Sequence, residues 1–341
     1  MAIEFRREVL VARYRRPDGT AKERQAEIRF DPLLGTSSRI APGVTLPKAD
    51  AAAAAAFQSA DPSCPFCPPR LEQVTPLVLP EISAEGRMRS GETVLFPNLV
   101  PYSKYAVVAI FSSRHWLGLH DFTTALIRDN LAAVCDYARK VYAFDSLACY
   151  CAYNINYLYP SGGSLPHSHS QVFLDTIPSN MIRLQHEAGQ RYAAQHRSSF
   201  WEDLVSEERE RGERFLGNIG AASWFMAFAP VGFNEVRAVV RERETLLDLT
   251  LADITAVADG ISRVLQWYSA FGYNSFNLAL YSGKLGGCPG FRVNLAMITR
   301  SGMAPFYRSD AMYLERLHWE AAVDRAPELA CQELRPRFEM A

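Results

Sequence analysis

The sequence predicts an α+β fold, internally duplicated, with a mixed or antiparallel sheet and flanking helices. Three observations lead there. Short apolar or alternating runs interleave with two long amphipathic segments, the second half repeats the order of the first, and 341 residues with 48% hydrophobic content suffice for one large core or two medium ones. The two halves are expected to span residues 1–177 and 178–341.

Arg6 to Arg13 and Arg24 to Phe30 read as short strands, followed by a turn at Asp31-Pro32-Leu33-Leu34-Gly35 and an irregular arm through Pro47. The alanine run Ala51 to Ala56 is helical by propensity but has no apolar stripe, so a short surface helix or tether is expected. Next comes Ser63-Cys64-Pro65-Phe66-Cys67-Pro68-Pro69, a proline-stiffened knuckle. Tyr105 to Phe111 is a continuous apolar strand, Asp121 to Phe144 an amphipathic helix with Asp121 as its cap, and Leu147 to Leu158 an alternating strand. Pro178 to about Glu213 reads as helix, broken near Ser198-Ser199. The second half then echoes the first. Phe228-Ala229-Pro230 with Val236 to Val240 repeats Phe96-Pro97-Asn98 with Ala106 to Ile110, and Leu251 to Phe271 repeats the helix from Asp121. Asn277 to Tyr281, a glycine-rich turn at Gly283 to Gly290 and Phe291 to Ile298 complete the echo.

The chemistry concentrates in Pro166-His167-Ser168-His169-Ser170-Gln171, directly behind the turn Ser161-Gly162-Gly163-Ser164. On a strand, alternate side chains share a face, so His167, His169 and Gln171 line up and the serines look away. One imidazole can attack phosphorus, a second can be fixed by a metal, and an amide can steady phosphoryl oxygens. A His-x-His pair on a strand is also commonly no more than a hydrogen-bonded surface pair. Here the chain has seven histidines, two of them within three residues beside a Gly-Gly turn, which favours the chemical reading. The Gly162-Gly163 turn lets backbone amides approach a phosphate closely. In the second copy Arg292-Val293-Asn294-Leu295-Ala296 stands where the imidazoles would be, so the first copy alone is expected to be catalytic.

Cys64 and Cys67 have the spacing that lets two thiolates reach one tetrahedral ion. His115, just beyond the Tyr105 to Phe111 strand, and His167 would complete a four-ligand set, with His120 as the rival third ligand. Thiolates with imidazoles favour zinc, and a closed set would make that zinc structural. An unliganded thiol pair is the alternative, since a lone C-x-x-C is metal-binding, redox-active or accidental. Cys135, Cys149, Cys151, Cys288 and Cys331 read as reduced, mostly buried thiols.

A formal charge of -1 provides no global field for nucleic acid or an anionic membrane, so neither is expected as a partner. No apolar run approaches the roughly 20 residues that span a bilayer, and the first residues carry charges instead of an apolar signal core. The cytoplasm is the expected location.

Taken together, Asp31-Pro32 with Arg39, Cys64-Pro65-Phe66-Cys67, Phe96-Pro97-Asn98, Phe111-Ser112-Ser113-Arg114-His115 and Gly162-Gly163-Ser164-Leu165-Pro166-His167-Ser168-His169-Ser170-Gln171 carry a family likeness. They resemble the galactose-1-phosphate uridylyltransferase and ADP-glucose phosphorylase branch of the histidine-triad superfamily. The resemblance implies a duplicated histidine-triad-like fold, a homodimer, and ping-pong nucleotidyl transfer of the kind used in galactose metabolism. The donor would be a nucleotide sugar and the acceptor a sugar 1-phosphate or phosphate. It assigns His169 as the nucleophile, and Cys64, Cys67, His115 and His167 as zinc ligands. Gln171, Ser164 and Asn156 would hold phosphoryl groups, with Gly163, Asn98 and Arg39 as further substrate-binding positions. Read without the resemblance, Ser164 and Asn156 are equally ordinary turn and strand polars.

The motif also departs from the uridylyltransferase form, which has Pro between the histidines and Asn before the preceding Pro, where this chain has Ser168 and Leu165. His-Ser-His-Ser-Gln is closer to ADP-glucose phosphorylase. The second-copy His-x-His of members with an accessory metal is missing, so no iron is expected. Two other functions stay open at this stage. One is an ADP-sugar or dinucleoside-polyphosphate phosphorylase or hydrolase using the same histidine; the other is a non-catalytic nucleotide-binding or zinc-binding module.

Overall fold

The structure is a computed structural model that describes residues 3–50, 52, 55, 58, 61–303 and 310–339. Ala51, Ala53, Ala54 and Ala56 of the alanine run lie outside the described residues.

Two sheets organise the chain. The small one has the order β1 (Arg7–Arg15), β2 (Ala21–Phe30), β3 (Ser37–Ile40) and β14 (Ala321–Val323). Its β3–β14 pair is parallel and joins the amino-terminal arm to the carboxy-terminal segment. The large sheet has ten strands, all antiparallel to their neighbours. Its first five are β4 (Met88–Ser90), β5 (Thr93–Pro97), β6 (Tyr105–Ile110), β8 (His169–Asp175) and β7 (Tyr150–Tyr157). Next to β7 lie β12 (Ser275–Tyr281), β13 (Asn294–Arg300), β11 (Val236–Val240), β10 (Ala222–Met226) and β9 (Phe215–Ile219).

That order reads the same from either edge, which is the signature of duplication. The row Val107–Val172–Tyr153 across β6, β8 and β7 recurs as Val236–Met297–Leu278 across β11, β13 and β12. The halves meet where Asn154 pairs with Ala279. In this register Ile110 pairs with His169 and Val239 with Asn294, so Asn294 holds the position of His169. Ala296 likewise holds the position of Gln171.

One helix from each half covers the same sheet face: α2 (Thr124–Phe144) and α5 (Leu251–Ala270), with α1 (Arg70–Val74) lying in the knuckle region. Val134, Ala138 and Val141 of α2 and Val257, Ile261 and Val264 of α5 pack on Val107, Val172, Tyr153, Leu278 and Met297. Burial of this apolar face, at roughly 25 cal/mol per Å², is what holds the layers together. The cap of α2 differs from expectation. Thr123, and not Asp121, precedes the helix and accepts from the Leu126 amide at 3.3 Å. Asp121 sits in a short 3₁₀ turn, where its carboxylate accepts from the Gly118 amide at 2.8 Å.

The opposite sheet face is covered differently in each half. In the second, α3 (Asn180–His196) and α4 (Phe200–Arg211), broken at Ser198-Ser199, bring Phe200, Trp201 and Leu204 onto Phe225 and Val239. In the first, the knuckle brings Cys64, Phe66 and Leu71 onto Val94, Phe96, Val108 and Ile110. An ion network closes the amino terminus onto α7 (Pro327–Leu334). Arg29 of β2 donates through Nη1 and Nη2 to Glu328 at 2.8 and 3.0 Å, and Arg214 reaches the same carboxylate at 2.8 Å. Two short helices, α6 (Tyr313–Leu317) and α8 (Pro336–Glu339), complete the chain. Among the described residues no helix is long and apolar enough to cross a membrane.

Candidate active site and metal centre

Cys64, Cys67, His115 and His167 converge, with their ligand atoms all within 4.8 Å of one another. His167 Nδ1 lies 3.7 Å from Cys64 Sγ and 3.4 Å from Cys67 Sγ, and His115 Nδ1 lies 3.3 Å from Cys67 Sγ. A tetrahedral ion with bonds of about 2.3 Å to sulfur and about 2.0 Å to nitrogen needs edges of roughly 3.3–3.8 Å, so the four residues fit a metal. The rival His120 is largely exposed and turns to Asp121 at 3.8 Å.

The ring orientations suit this role. His167 Nε2 donates to the Ser112 carbonyl at 2.9 Å, which leaves Nδ1 with its lone pair towards the sulfurs. Burial lowers the His167 imidazole to about 4, keeping it neutral. Burial and the neighbouring Cys64 push the Cys67 thiol up to about 12, a cost that a cation in the cluster would reverse.

His169 opens β8 two residues on and is buried. Its Nδ1 lies 2.7 Å from the His167 carbonyl. A carbonyl only accepts, so Nδ1 carries the proton and Nε2 keeps the free lone pair. Burial pushes the His169 imidazole below its ordinary range, while the bond to His167 works the other way. Phe66 meets both rings edge-on, with centroids 5.9 Å from His167 and 5.3 Å from His169. Behind the strand Ser170 Oγ points to the helix side, bonding Asn130 of α2, as the alternation of faces predicts.

The other sequence-predicted positions divide into two groups. Gln171 is half-buried on the His169 face and pairs with Asn154 and Val108 across the strands. Asn156 is exposed one step beyond Asn154 on that face, and Ser164 is exposed in the turn. Gly163 is buried, and a Cβ there would come within 2.8 Å of the Asn156 carbonyl oxygen and 2.9 Å of that of Leu158, so only glycine fits. Asn98 and Arg39 lie elsewhere. Asn98 follows β5 at the far end of the sheet, its Oδ1 accepting from the Val100 amide at 3.1 Å. Arg39 belongs to the small sheet and donates to Glu320 at 2.9 Å.

Three contributors went unread in the sequence. Phe66 had a local signal in its place between the two cysteines. Ser112 acts through its carbonyl, which no side-chain pattern reports. Asn277 comes from the other half and reaches Asn156 Oδ1 at 2.7 Å, a proximity created by the β7–β12 seam.

No family model matches the chain. An uncharacterized protein of Archaeoglobus fulgidus is 31% identical over 333 residues, covering 98% of each chain. The chain belongs to that protein's family. Among solved structures, the chain is similar to an ADP-glucose phosphorylase from Arabidopsis thaliana with bound ADP-glucose. That match has a TM-score of 0.69 and 17% identity over 91% of this chain and 98% of the other. A uridylyltransferase structure matches with a TM-score of 0.66 and 18% identity over 92% and 98%. The chain thus shares the fold of that ADP-glucose phosphorylase and that uridylyltransferase.

Proposed function

We propose that this chain is a nucleotidyltransferase in which His169 carries the nucleotidyl group. The observation behind this reading is the bond from His169 Nδ1 to the His167 carbonyl at 2.7 Å, which leaves Nε2 as a neutral nucleophile on a ring whose neighbour belongs to the Cys/His cluster. Nε2 attacks the α-phosphorus of a nucleotide sugar, the bond from that phosphorus to the bridging oxygen breaks, and a sugar 1-phosphate leaves. An acceptor phosphate oxygen then attacks the phosphoramidate and returns the imidazole. Gln171, Asn156, Ser164 and the Gly163 turn hold the phosphoryl oxygens as charge redistributes. Asn98 and Arg39 contact parts of the substrate further from phosphorus.

The ion that the Cys64, Cys67, His115 and His167 set would hold is zinc, in a structural role that sets the position of the reactive strand. The halves divide at 177/178, and the reactive imidazole belongs to the first. The enzyme works in the cytoplasm as a homodimer. Its donor is a nucleotide sugar, and its acceptor is phosphate or a sugar 1-phosphate, the former favoured by Ser168 between the histidines. That the solved neighbours include both an ADP-glucose phosphorylase and a uridylyltransferase supports this pair of acceptors.

Intact-protein mass spectrometry after incubation with UDP-glucose, ADP-glucose and related sugars tests the reading. One nucleoside monophosphate increment on the wild type, absent from His169→Gly, is expected. Absence of any increment on the wild type across the panel refutes it. Product analysis then separates acceptors, since nucleoside diphosphate formed only with added phosphate means phosphorolysis and free monophosphate means hydrolysis.

A further inference from the structure

A side chain of the half that lacks the His-x-His pair reaches the candidate site. Asn277 of β12 pairs with Asn156 of β7 across the seam between the halves. Its Nδ2 donates to the Ser161 carbonyl at 2.9 Å and to Asn156 Oδ1 at 2.7 Å. The orientation of both amides follows from the first bond. A backbone carbonyl can only accept, so the Asn277 NH₂ group must face Ser161. Its second hydrogen then faces Asn156, which must present oxygen to it. The Asn156 NH₂ group is thereby turned the other way, and Asn156 is exposed on the sheet face that carries His169. Asn154 pairs with Gln171, so the next residues on that face of the two antiparallel strands are Asn156 and His169.

The same bond ties down the turn. Ser161 opens Ser161-Gly162-Gly163-Ser164, and the turn is closed on itself by Gly163 N donating to the Leu158 carbonyl at 3.0 Å and Ser161 Oγ to the same carbonyl at 2.7 Å. Asn277 thus holds the first residue of the turn.

We propose that Asn277, itself oriented by the Ser161 carbonyl, is a positioning residue for nucleotidyl transfer: it fixes the Asn156 amide as a donor towards a phosphoryl oxygen beside His169. This rests on the nucleotidyl-transfer reading. It gives the second half, which has Asn294 and Ala296 in place of His169 and Gln171, a part in the reaction that is exerted through Asn156. An amide donor held in advance needs no reorientation as charge develops on phosphorus, which is where such donors gain their effect.

The test is a double-mutant cycle in the full chain. Asn277→Asp keeps the shape but removes the donor, so Asn156 must turn its NH₂ group inward and present oxygen to the phosphate. Single-turnover labelling by whichever of ADP-glucose or UDP-glucose labels the wild type should fall about 10- to 100-fold in Asn277→Asp and in Asn156→Ala. The double variant should be no slower than Asn156→Ala alone to within about threefold, because Asn277 acts through Asn156. A wild-type rate in Asn277→Asp, or single effects that multiply in the double variant, overturns the proposal. A second measurement needs no turnover and no variant. In protein labelled with ¹⁵N at asparagine side chains, inorganic phosphate should shift the Asn156 NH₂ signals of the wild type, and their failure to move overturns the proposal. Failure of the nucleotidyl reading is seen separately, as a wild type that takes no label from either sugar.

Discussion

Ser170 Oγ donates to Asn130 Oδ1 at 2.7 Å, on the helix side of the strand whose other side carries His169. Tyr153 of β7 donates to the same oxygen at 3.1 Å, and Asn130 Nδ2 donates to the Ala109 and Ile110 carbonyls of β6 at 3.1 and 3.3 Å. One fully buried amide of α2 therefore joins the three strands that frame His169. Asn130→Ala removes the oxygen that accepts from the Tyr153 hydroxyl and leaves Ser170 Oγ with its longer bond to the Ala109 carbonyl, at 3.4 Å. A loss of roughly 1–3 kcal/mol in urea unfolding is expected, the cost of one orphaned buried group. A loss below about 0.5 kcal/mol would show that the network contributes nothing.

The Cys/His cluster joins the knuckle, the segment after β6 and the strand of His169, so removal of an ion held there is expected to lower stability as well as labelling. Native mass spectrometry should find one zinc per chain in the wild type and none in Cys67→Ser. Prolonged chelation should lower the melting temperature of the wild type and leave that of Cys67→Ser unchanged. Equal metal content in the two proteins would contradict the ligand set.

Gly163 meets backbone oxygen on two sides, where flexible side chains cannot yield. Gly163→Ala should therefore destabilise by about 1–3 kcal/mol and displace the turn, with a larger loss of labelling rate than of stability. Unchanged thermal unfolding would show that the turn is freer than its contacts indicate.

Glu328 links stability to pH. Burial opposes its ionisation, but the bonds from Arg29 and Arg214 prevail and hold its carboxyl down at about 2, against an ordinary 4.5. Because the folded value is the lower one, the carboxylate stabilises the fold above pH 4.5, and that contribution is lost as pH falls from 4.5 towards 2. It amounts to on the order of 3 kcal/mol. Glu328→Gln leaves the nearly buried Arg29 and Arg214 short of countercharge and should cost about 3–5 kcal/mol at pH 7. Its urea midpoint should change less between pH 5 and pH 3 than that of the wild type, and an equally steep acid slope in both would assign the acid sensitivity elsewhere.

Much of this architecture is written in local pattern. Period-two alternation marks β8 and β7, the 3.6-residue apolar stripe marks α2 and α5, and His167, Ser168, His169, Ser170 and Gln171 announce which side of the strand carries the imidazoles. The close spacing of Cys64 and Cys67 is equally local. Other relations involve residues far apart in the chain, and no local pattern carries them. The cap of α2 went to Thr123 because Asp121 was engaged by the Gly118 amide in a preceding turn, a competition decided by backbone path.

By itself the sequence determined the face that carries the imidazoles, the cluster's two sulfur atoms and the repeat of strand and helix, because each depends on residues a few positions apart. Tertiary structure alone decided that Asn130 locks three strands and that Asn277 meets Asn156. Those contacts exist only once the antiparallel register is set and two halves share one sheet, and register is chosen by burial summed over whole strands.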